Sequence, residues 1–400
     1  MKRMKLIIII SLIFTIINLI LIVIILFQMT KITKSNTFAE VPILEEDNNF
    51  ENSFTIDIPK KDNSGEDAPP LLVVSDDQQI YVVGVFDGMG GSGSALYEEN
   101  GETHTGAYLA SRVVKRTTEH FFEEQINNEN FEVDSIFINA LKEKIVENLK
   151  DKLNKQNYEK SNIKSSLVRT FPTTMAIGQV SQHNDTLKMK VLWVGDSRVY
   201  FLSADEGLIQ LTKDDLKLEN DPYQNIANDS LLSNMVYLDG DFIINFYEKE
   251  YKYTAPAIFF AATDGCFGYF PTPMHFENLL LQTLQNSNSM QEWKQKIIEI
   301  LKSISGDDCS ISLVCLANKT VDFSKFKEHY LKRYASFYFN FYKKIEEVEE
   351  HIAELIKNQA TEELAELEQE RKEVYERLWN EYKKTNYSLF YTPDQCEKEK

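Results

Sequence analysis

The chain has 400 residues, a length that predicts two or three modules rather than one small domain. Hydrophobic residues make up 43% of it and charged residues 26%, which is ordinary for a protein that folds around a core. The formal net charge of −19 argues against a nucleic acid partner, because binding phosphates needs an excess of Lys and Arg. The four cysteines show neither C-x-x-C pairing nor His residues at ligand spacing, so neither a zinc site nor a disulfide framework is expected.

Residues 1–35 are predicted to form a membrane anchor. The run from Leu6 to Met29 has 24 residues and no charge, enough to cross about 30 Å of hydrocarbon as one helix. It is also too long for the core of a cleaved signal peptide. Basic residues flank both sides, so the orientation of this single-pass anchor stays open, with the cytoplasmic side favoured for the main body by the unpaired cysteines. Residues 36–49 are polar and acidic, and they are predicted to form a tether.

Between residues 50 and 320, the sequence predicts short strands in runs and helices in pairs. The expected strands are Ser53–Ile58, Leu71–Val74, Ile80–Phe86, Thr174–Val180, Leu187–Gly195, Val199–Leu202, Ile243–Tyr251, Ala257–Thr263 and Ser310–Leu316. The expected helices are residues 105–125, 133–153, 276–285 and 290–304. Most strands follow one another through tight turns, which favours antiparallel pairing. Together these features indicate an α+β protein whose layered sheets are covered by helices.

Residues 321–400 are predicted to form a helical extension. One helical pattern runs from Phe323 to Lys384, and its apolar residues repeat at alternating spacings of four and three, which is typical of a coiled coil. The pattern slips by about one residue near Ala360, which indicates either a stutter in one helix or a bend that makes a helical hairpin. The extension either packs on its own domain or forms a homodimer or a protein-docking surface.

The stretch VVGVFDGMGGSGS, from Val82 to Ser94, admits two interpretations. Its glycines fit the G-x-G-x-x-G turn of a dinucleotide-binding fold. That fold needs a helix that begins inside the turn and a parallel strand about 30 residues later. Here Glu98 to Gly101 still have loop character, and the next strand follows two helices. The dinucleotide interpretation therefore fails, which leaves Asp87 as a carboxylate at a strand end beside a side-chain-poor loop.

Carboxylates stand beside glycines at four strand ends, and a fifth acidic pair precedes another strand. These are Asp87-Gly88, Gly195-Asp196, Asp264-Gly265, Gly306-Asp307-Asp308 and Glu66-Asp67. Turn chemistry explains any single one of them, but it does not easily explain five. Clustered carboxylates repel one another unless cations neutralise them. Oxygen ligands without Cys or His select Mg²⁺ or Mn²⁺ over zinc.

Seven motifs occur in the order found in one family of enzymes. They are Glu66-Asp67, DGMGG at 87–91, Thr173-Thr174, GDSR at 195–198, LTKDD at 211–215, TDG at 263–265 and DDCS at 307–310. In these motifs the chain resembles the protein phosphatase 2C (PPM) family of metal-dependent protein serine/threonine phosphatases. The resemblance covers residues 50–320. It implies an α-β-β-α fold, in which helix pairs flank a central β-sandwich with two metal ions at one end.

The resemblance also assigns roles to individual residues. It implies two Mn²⁺ or Mg²⁺ ions, and a third that is held more loosely. It implies the ligands Asp87, which bridges both ions, the Gly88 carbonyl, Glu66, Asp264, Asp307 and, for the third ion, Asp196, with Asp67 and Asp308 just behind them. Asp87, Asp264 and Asp307 would be the catalytic set. The two ions would convert a bridging water to hydroxide near neutral pH, and this hydroxide would attack a phosphoserine or phosphothreonine of a protein substrate.

The chain departs from the family at the place of the substrate phosphate. Many members carry an Arg four residues before the Glu, where this chain has Asp62; Lys60 and Lys61 are the predicted substitutes. Two alternatives stay open, a pseudophosphatase that binds partners through the C-terminal helix and a phosphatase of a small phosphorylated molecule. The clustered carboxylates argue against the first. The polar segment from Asp214 to Leu238 falls where the family has a variable flap, and it either helps to choose substrates or is a surface loop.

Overall fold

The structure is a computed structural model that describes residues 52–60, 65–99, 101–155, 169–217, 221–227, 231–239, 241–252, 256–317, 322–357 and 361–386. The predicted anchor from Leu6 to Met29, the tether and Lys61 lie outside these residues. Within the described ranges, no helix is both long and apolar enough to cross a membrane. The anchor, its orientation and the domain boundaries therefore stay predictions.

The described chain before residue 320 contains twelve strands. In chain order they are β1 (Ser53–Ile58), β2 (Leu71–Val74), β3 (Ile80–Val85), β4 (Leu96–Glu99), β5 (Glu102–Thr105), β6 (Met175–His183), β7 (Thr186–Val194), β8 (Arg198–Ser203), β9 (Gly207–Gln210), β10 (Asn245–Lys252), β11 (Ala257–Ala262) and β12 (Cys309–Leu316). They form one five-stranded sheet in the order β1-β12-β11-β8-β9 and a second in the order β10-β7-β6-β3-β2. The pairs within both sheets are antiparallel, as the tight turns predict.

The two sheets face each other across a buried apolar layer. Val83 and Val85 of β3 pack there with Phe201 of β8 and Phe259 of β11. Gly178 of β6 is necessary for this approach, because a Cβ at this position would lie 2.5 Å from the Phe259 ring. The central β-sandwich of the expected fold is therefore present.

Helices cover the outer face of each sheet and complete the four layers. They are α1 (Gly106–Glu123), α2 (Ser135–Asn154), α3 (Pro222–Ala227), α4 (Asp264–Phe267), α5 (Pro273–Gln285) and α6 (Met290–Ile304). The pair α1 and α2 packs on the sheet that contains β3, and α5 and α6 pack on the sheet that contains β12. Local caps fix where α1 and α2 begin: the side chains of Thr105 and Asp134 accept hydrogen bonds from the backbone N–H groups of Tyr108 and Phe137.

The hairpin β4–β5 is absent from the sequence prediction, which gives this segment as a loop. Its turn contains Gly101 at φ +86°, a conformation that glycine adopts without strain. The dipeptide Asn100-Gly101 is a strong hairpin signal, so the sequence did carry the information. Short strand β9 was also missed, because its four residues show no alternation.

The C-terminal extension consists of several helical segments, which fits the second of the two possibilities that the phase slip left open. It consists of α7 (Phe323–Phe337), a π-helical turn (Tyr338–Tyr342), α8 (Lys343–Lys357) and α9 (Thr361–Asn386). Helix α9 lies back along α8, because Tyr375 and Arg371 both contact Glu349. The phase slip thus marks a bend rather than a stutter. Phe341 and Ile345 of the apolar repeat are buried in the same core as α5, so the repeat packs on its own domain.

A buried ion pair joins this extension to the sandwich. Arg333 of α7 is 7% exposed, and its Nε donates to Oε1 of Glu277 on α5, which is fully buried, at 2.8 Å. Its Nη2 lies 2.7 Å from the same oxygen. Tyr382 of α9 also contacts Glu277, and its hydroxyl accepts from the N–H of Leu208 in β9 at 3.1 Å. The extension is therefore part of the folded core.

We expect Arg333→Met to lower the free energy of unfolding by about 3 kcal/mol, because it leaves the charge of Glu277 buried without its partner. Urea unfolding followed by circular dichroism measures this loss. Lys332→Met is the control: it removes an exposed charge one residue away and should change stability by less than about 0.5 kcal/mol. Equal losses in the two variants would contradict a special role for the buried pair.

Candidate active site

The predicted acidic residues meet at one end of the sandwich. Asp87 follows β3, Asp196 lies in the turn between β7 and β8, and Asp264 begins α4 directly after β11. Burial, and then the charges of Asp264, Asp67 and Asp196, raise the pKa of Asp87 well above its usual value. Only carboxylates that lie close together act on one another in this way. Asp87 is therefore at the centre of an acidic cluster.

Neighbouring backbone fixes the position of Asp87. Its carbonyl oxygen accepts from the N–H of Thr174 at 2.9 Å and from the hydroxyl of Thr173 at 2.6 Å. Both threonines are fully buried. The Thr173-Thr174 motif, which had no physical role in the sequence, thus anchors the end of β3.

The glycines after Asp87 make room for Glu66. A Cβ at Gly88 would lie 2.3 Å from the backbone oxygen of Glu66, and one at Gly90 would lie 1.8 Å from its Oε2. The contact at Gly88 is with backbone and leaves no room for a side chain, whereas the contact at Gly90 is with the end of the Glu66 side chain, which can turn away. Gly88 is thus needed for the approach of the Glu66 loop, which is a second reason for glycine besides access to an ion.

Asp308 holds the Glu66 loop in place from behind. Its carboxylate accepts from the backbone N–H groups of Lys60 and Glu66, both at 2.5 Å, and from that of Asp67 at 3.2 Å. On the other side of the loop, Arg112 of α1 donates to the carbonyl of Gly65 at 3.2 Å. Asp308 is therefore engaged with the backbone and supports Glu66 and Asp67.

The turn that carries Asp196 depends on Gly195 and Asp215. Gly195 has φ +100°, and a Cβ there would lie 2.8 Å from the side chain of Thr174. The Asp215 carboxylate accepts from the N–H of Gly195 at 2.9 Å, and Asn234 and Asn245 donate to the same carboxylate. This network fixes the turn, and it gives Asp215 a role that sequence reasoning did not assign.

A buried ion pair lies next to this turn. Arg198 of the GDSR motif donates twice to Asp214 of the LTKDD motif, at 3.0 and 2.6 Å, and both side chains are at most 2% exposed. Gln210 and Asn225 also donate to Asp214. The positive charge of Arg198 opposes the pKa increase that burial and nearby carboxylates cause at Asp264. The charge of Asp214 acts in the opposite direction, so it offsets part of this effect of Arg198.

The buried carboxylates of the cluster repel one another and lack enough positive charge nearby to neutralise them. Burial, and then the charges of Asp308 and Asp264, raise the pKa of Asp67 to about 8. Burial, and then the charge of Asp307, raise the pKa of Asp264 to about 6. Two buried oxygens, Oδ2 of Asp67 and Oδ1 of Asp196, have no hydrogen-bond partner. Such carboxylates need protons or cations.

The oxygen donors of the cluster are of the type that divalent cations prefer, but their positions do not form a coordination site. No group of three or more described His, Cys, Asp or Glu side chains could hold a metal ion as it stands. Some of the carboxylates are turned into other contacts: Glu66 accepts from the hydroxyl of Thr105 at 2.5 Å, and Asp307 lies 3.5 Å from the Nζ of Lys60. Oxygen donors, unpartnered buried oxygens and raised pKa values suit Mg²⁺ or Mn²⁺ once these side chains rotate.

Lys60 is the predicted phosphate-binding lysine that the structure describes. Its side chain is 51% exposed beside Asp307, at the edge of the acidic cluster. A cavity of about 740 Å³ opens beside Glu66 and Asp67 and is also lined by His104, Tyr108 and Arg112. The cavity therefore borders the acidic cluster on the side of the Glu66 loop.

We expect Mn²⁺ to raise the melting temperature more at about pH 8 than at about pH 5. Asp67 and Asp264 have folded-state pKa values of about 8 and about 6, above the value of 3.8 for the free side chain. Their protons therefore stabilise the metal-free fold at low pH, and this contribution is lost as the pH rises through both values. Mn²⁺ replaces those protons. Thermal unfolding with and without Mn²⁺ measures the difference, and an equal shift at both pH values would contradict it.

Comparisons with known proteins agree with this geometry. The family model of protein phosphatase 2C matches residues 60–302. No curated protein sequence matches the chain significantly. Among solved structures, the chain is similar to the serine/threonine phosphatase Stp1 from Staphylococcus aureus, with a TM-score of 0.48, 14% identity, and coverage of 71% of this chain and 99% of that one.

Two further neighbours are structures of the phosphatase PstP. The serine/threonine phosphatase PstP/Ppp of Mycobacterium tuberculosis has a TM-score of 0.44 and 14% identity, with 66% of this chain and 97% of that chain covered. The catalytic domain of PstP in complex with two manganese ions has a TM-score of 0.41 and 14% identity, with 66% and 98% covered. Similarity at this level leaves the chemistry of the site to its own residues.

The family model covers more than half of the chain, and it spans the acidic residues from Glu66 to Asp264. The chain belongs to the protein phosphatase 2C family of serine/threonine phosphatases.

Proposed function

We propose that this protein hydrolyses phosphoserine and phosphothreonine in protein substrates with the help of two divalent cations, Mn²⁺ or Mg²⁺. The observation that carries this proposal is the acidic cluster around Asp87, in which buried carboxylates raise one another's pKa values and two buried oxygens lack partners. A fold that keeps such a cluster needs cations to neutralise it. Phosphoryl transfer needs the same cations.

The carboxylates of the acidic cluster would hold the two ions. Glu66 and the Gly88 carbonyl would serve one ion, Asp264 and Asp307 the other, and Asp87 both. A third, looser ion would bind at Asp196. When bound, the two central ions supply an activated water as the nucleophile and offset charge on the phosphoryl oxygens.

The chain's own residues position this chemistry. Asp308 and Arg112 fix the loop of Glu66, and Thr173 and Thr174 fix the carbonyl of Asp87. Rotation of Glu66 away from Thr105 would bring its carboxylate to an ion. Lys60, half exposed beside Asp307, would hold the phosphoryl group of the substrate in place of the family's Arg.

A phosphatase of small phosphorylated molecules is the second candidate. The absence of an Arg at Asp62 and the cavity beside Glu66 favour it, because both alter the place where the phosphate of a protein substrate would bind. Competition between a phosphothreonine peptide and small phosphate esters for one preparation separates the two candidates. A pseudophosphatase has no physical need for unneutralised buried carboxylates.

We also propose that Leu6 to Met29 anchors the enzyme in a membrane as a single pass. Its length and lack of charge support this assignment. The catalytic domain would lie on the cytoplasmic side, where buried free thiols such as Cys266 and Cys309 stay reduced. Protease protection of the domain in sealed vesicles tests this orientation.

Asp264→Asn should lower turnover at least about a hundredfold with little effect on folding. The change removes a ligand charge from the cluster but keeps the shape of the side chain. The measurement is Mn²⁺-dependent phosphate release from p-nitrophenyl phosphate and from a phosphothreonine peptide. Asp185→Asn, in the exposed turn between β6 and β7, should retain full activity. A folded wild-type protein that releases no phosphate would rule out the proposed activity.

Lys60→Gln should raise the KM for a phosphothreonine peptide about fivefold, because one charge-assisted contact to phosphate is lost. Its kcat should change less. Lys302→Gln removes an exposed charge from α6 and should leave both constants unchanged. If the two variants have the same KM, Lys60 does not bind the substrate phosphate.

A further inference from the structure

We propose that the C-terminal helix α9 positions the flap beside the active site through the contact of Trp379 and Lys383 with Asp221. The flap is the segment from Asp214 to Leu238, of which the structure describes residues 214–217, 221–227 and 231–238, and the proposal concerns these residues. The consequence for catalysis rests on the proposed phosphatase function, whereas the positioning itself does not.

The first step is the contact between α9 and the flap. The indole N–H of Trp379 donates to Oδ1 of Asp221 at 2.7 Å, and Nζ of Lys383 donates to Oδ2 at 2.6 Å. The side chains of Lys383 and Asp221 are 33% and 23% exposed, so water screens this pair only in part. Both carboxylate oxygens of Asp221 thus bind one face of α9.

Asp221 also controls the start of helix α3 within the flap. Its Oδ1 accepts from the backbone N–H of Tyr223 at 3.0 Å. Pro222 follows at the first position of the helix, where its fixed φ suits a helix start. The residue that α9 binds is therefore the one that begins α3.

The other side of α3 contacts the active site. Asn225 donates to Oδ2 of Asp214 at 2.7 Å, and Asp214 forms the buried pair with Arg198. Arg198 lies two residues after Asp196 in the same turn. Helix α3 therefore bridges Asp221, held by α9, and the residues that support the acidic cluster.

Apolar packing strengthens the contact of α3 with α9. Tyr223 is 8% exposed and belongs to the same buried cluster as Tyr375, Leu378 and Trp379 of α9. Ile226 packs against this cluster from the flap. Polar and apolar contacts thus hold the same face of α3.

Helix α9 can hold the flap in place, because α9 is itself bound to β9 and α5. The hydroxyl of Tyr382 donates to the carbonyl of Leu208 at 3.1 Å and also contacts Glu277. These contacts do not involve the flap. Removing α9 would expose the core that Leu378 and Trp379 share with the sandwich, so single substitutions test the proposal better than truncation.

The test compares Lys383→Gln and Asp221→Asn with the control Lys384→Gln in the full-length protein. Asparagine keeps the acceptor for Trp379 and the cap of α3, so Asp221→Asn removes only the charge. Lys384 is the neighbouring exposed lysine on α9. Hydrogen exchange of the amides of residues 221–227 should be about threefold faster in the first two variants and unchanged in the control.

The double variant should show no further increase, because both changes break the same ion pair. Lys383→Arg should restore slow exchange, since it keeps the charge. The KM for a phosphothreonine peptide should rise about threefold in Lys383→Gln, while turnover of p-nitrophenyl phosphate, which is too small to reach the flap, stays unchanged.

Equal exchange in Lys383→Gln and Lys384→Gln would overturn the positioning, whether or not the enzyme is active. Faster exchange with an unchanged KM for the peptide would overturn its consequence for catalysis. A wild-type protein without phosphatase activity would overturn the proposed function, and the exchange rates would still decide on the positioning.

Discussion

Repulsion between carboxylates held out of water is the constraint on which the rest of the structure depends. Asp67 and Asp87 lie with Asp264 at one end of the sandwich, and burial together with like charge raises all three pKa values. Such a cluster persists only if protons or cations neutralise it and if the surrounding backbone cannot relax away. The proposed metal chemistry follows from this arrangement.

Several polar side chains around the cluster form hydrogen bonds to the backbone. The Asp308 carboxylate accepts hydrogen bonds from the backbone N–H groups of Lys60, Glu66 and Asp67. Thr173 and Thr174 donate to the backbone carbonyl of Asp87. Arg198 is a buried cation near the cluster, and it forms an ion pair with Asp214. The carboxylates at the centre are consequently left for ligands, whereas their neighbours keep the strand ends in register. This division explains why so many polar residues around the site touch backbone.

The C-terminal extension adds a structural layer and also a link to the site. Its apolar repeat is used against its own domain, and its buried pair of Arg333 and Glu277 joins α7 to α5. Because α9 is anchored on β9 and α5, it offers Asp221 of the flap a fixed partner. Contacts through α3 thus link the packing of the C-terminal helices to Asp214, which pairs with Arg198 beside the acidic cluster.

The sequence by itself determined the strands of the two sheets except β9, the paired helices and the acidic residues at strand ends, because alternation of apolar residues and carboxylate-glycine turns are local signals. Sequence motifs also identified the family. Only the tertiary structure decided which acidic side chains bind backbone amides, as Asp308 does, and which have an oxygen without a hydrogen-bond partner. Asp308 and the backbone of Lys60 are 248 residues apart, and Trp379 and Asp221 are 158 apart. It also decided that the C-terminal helix bends back on its own domain. Contacts between such distant residues depend on how the sheets and helices pack, and no local pattern records them.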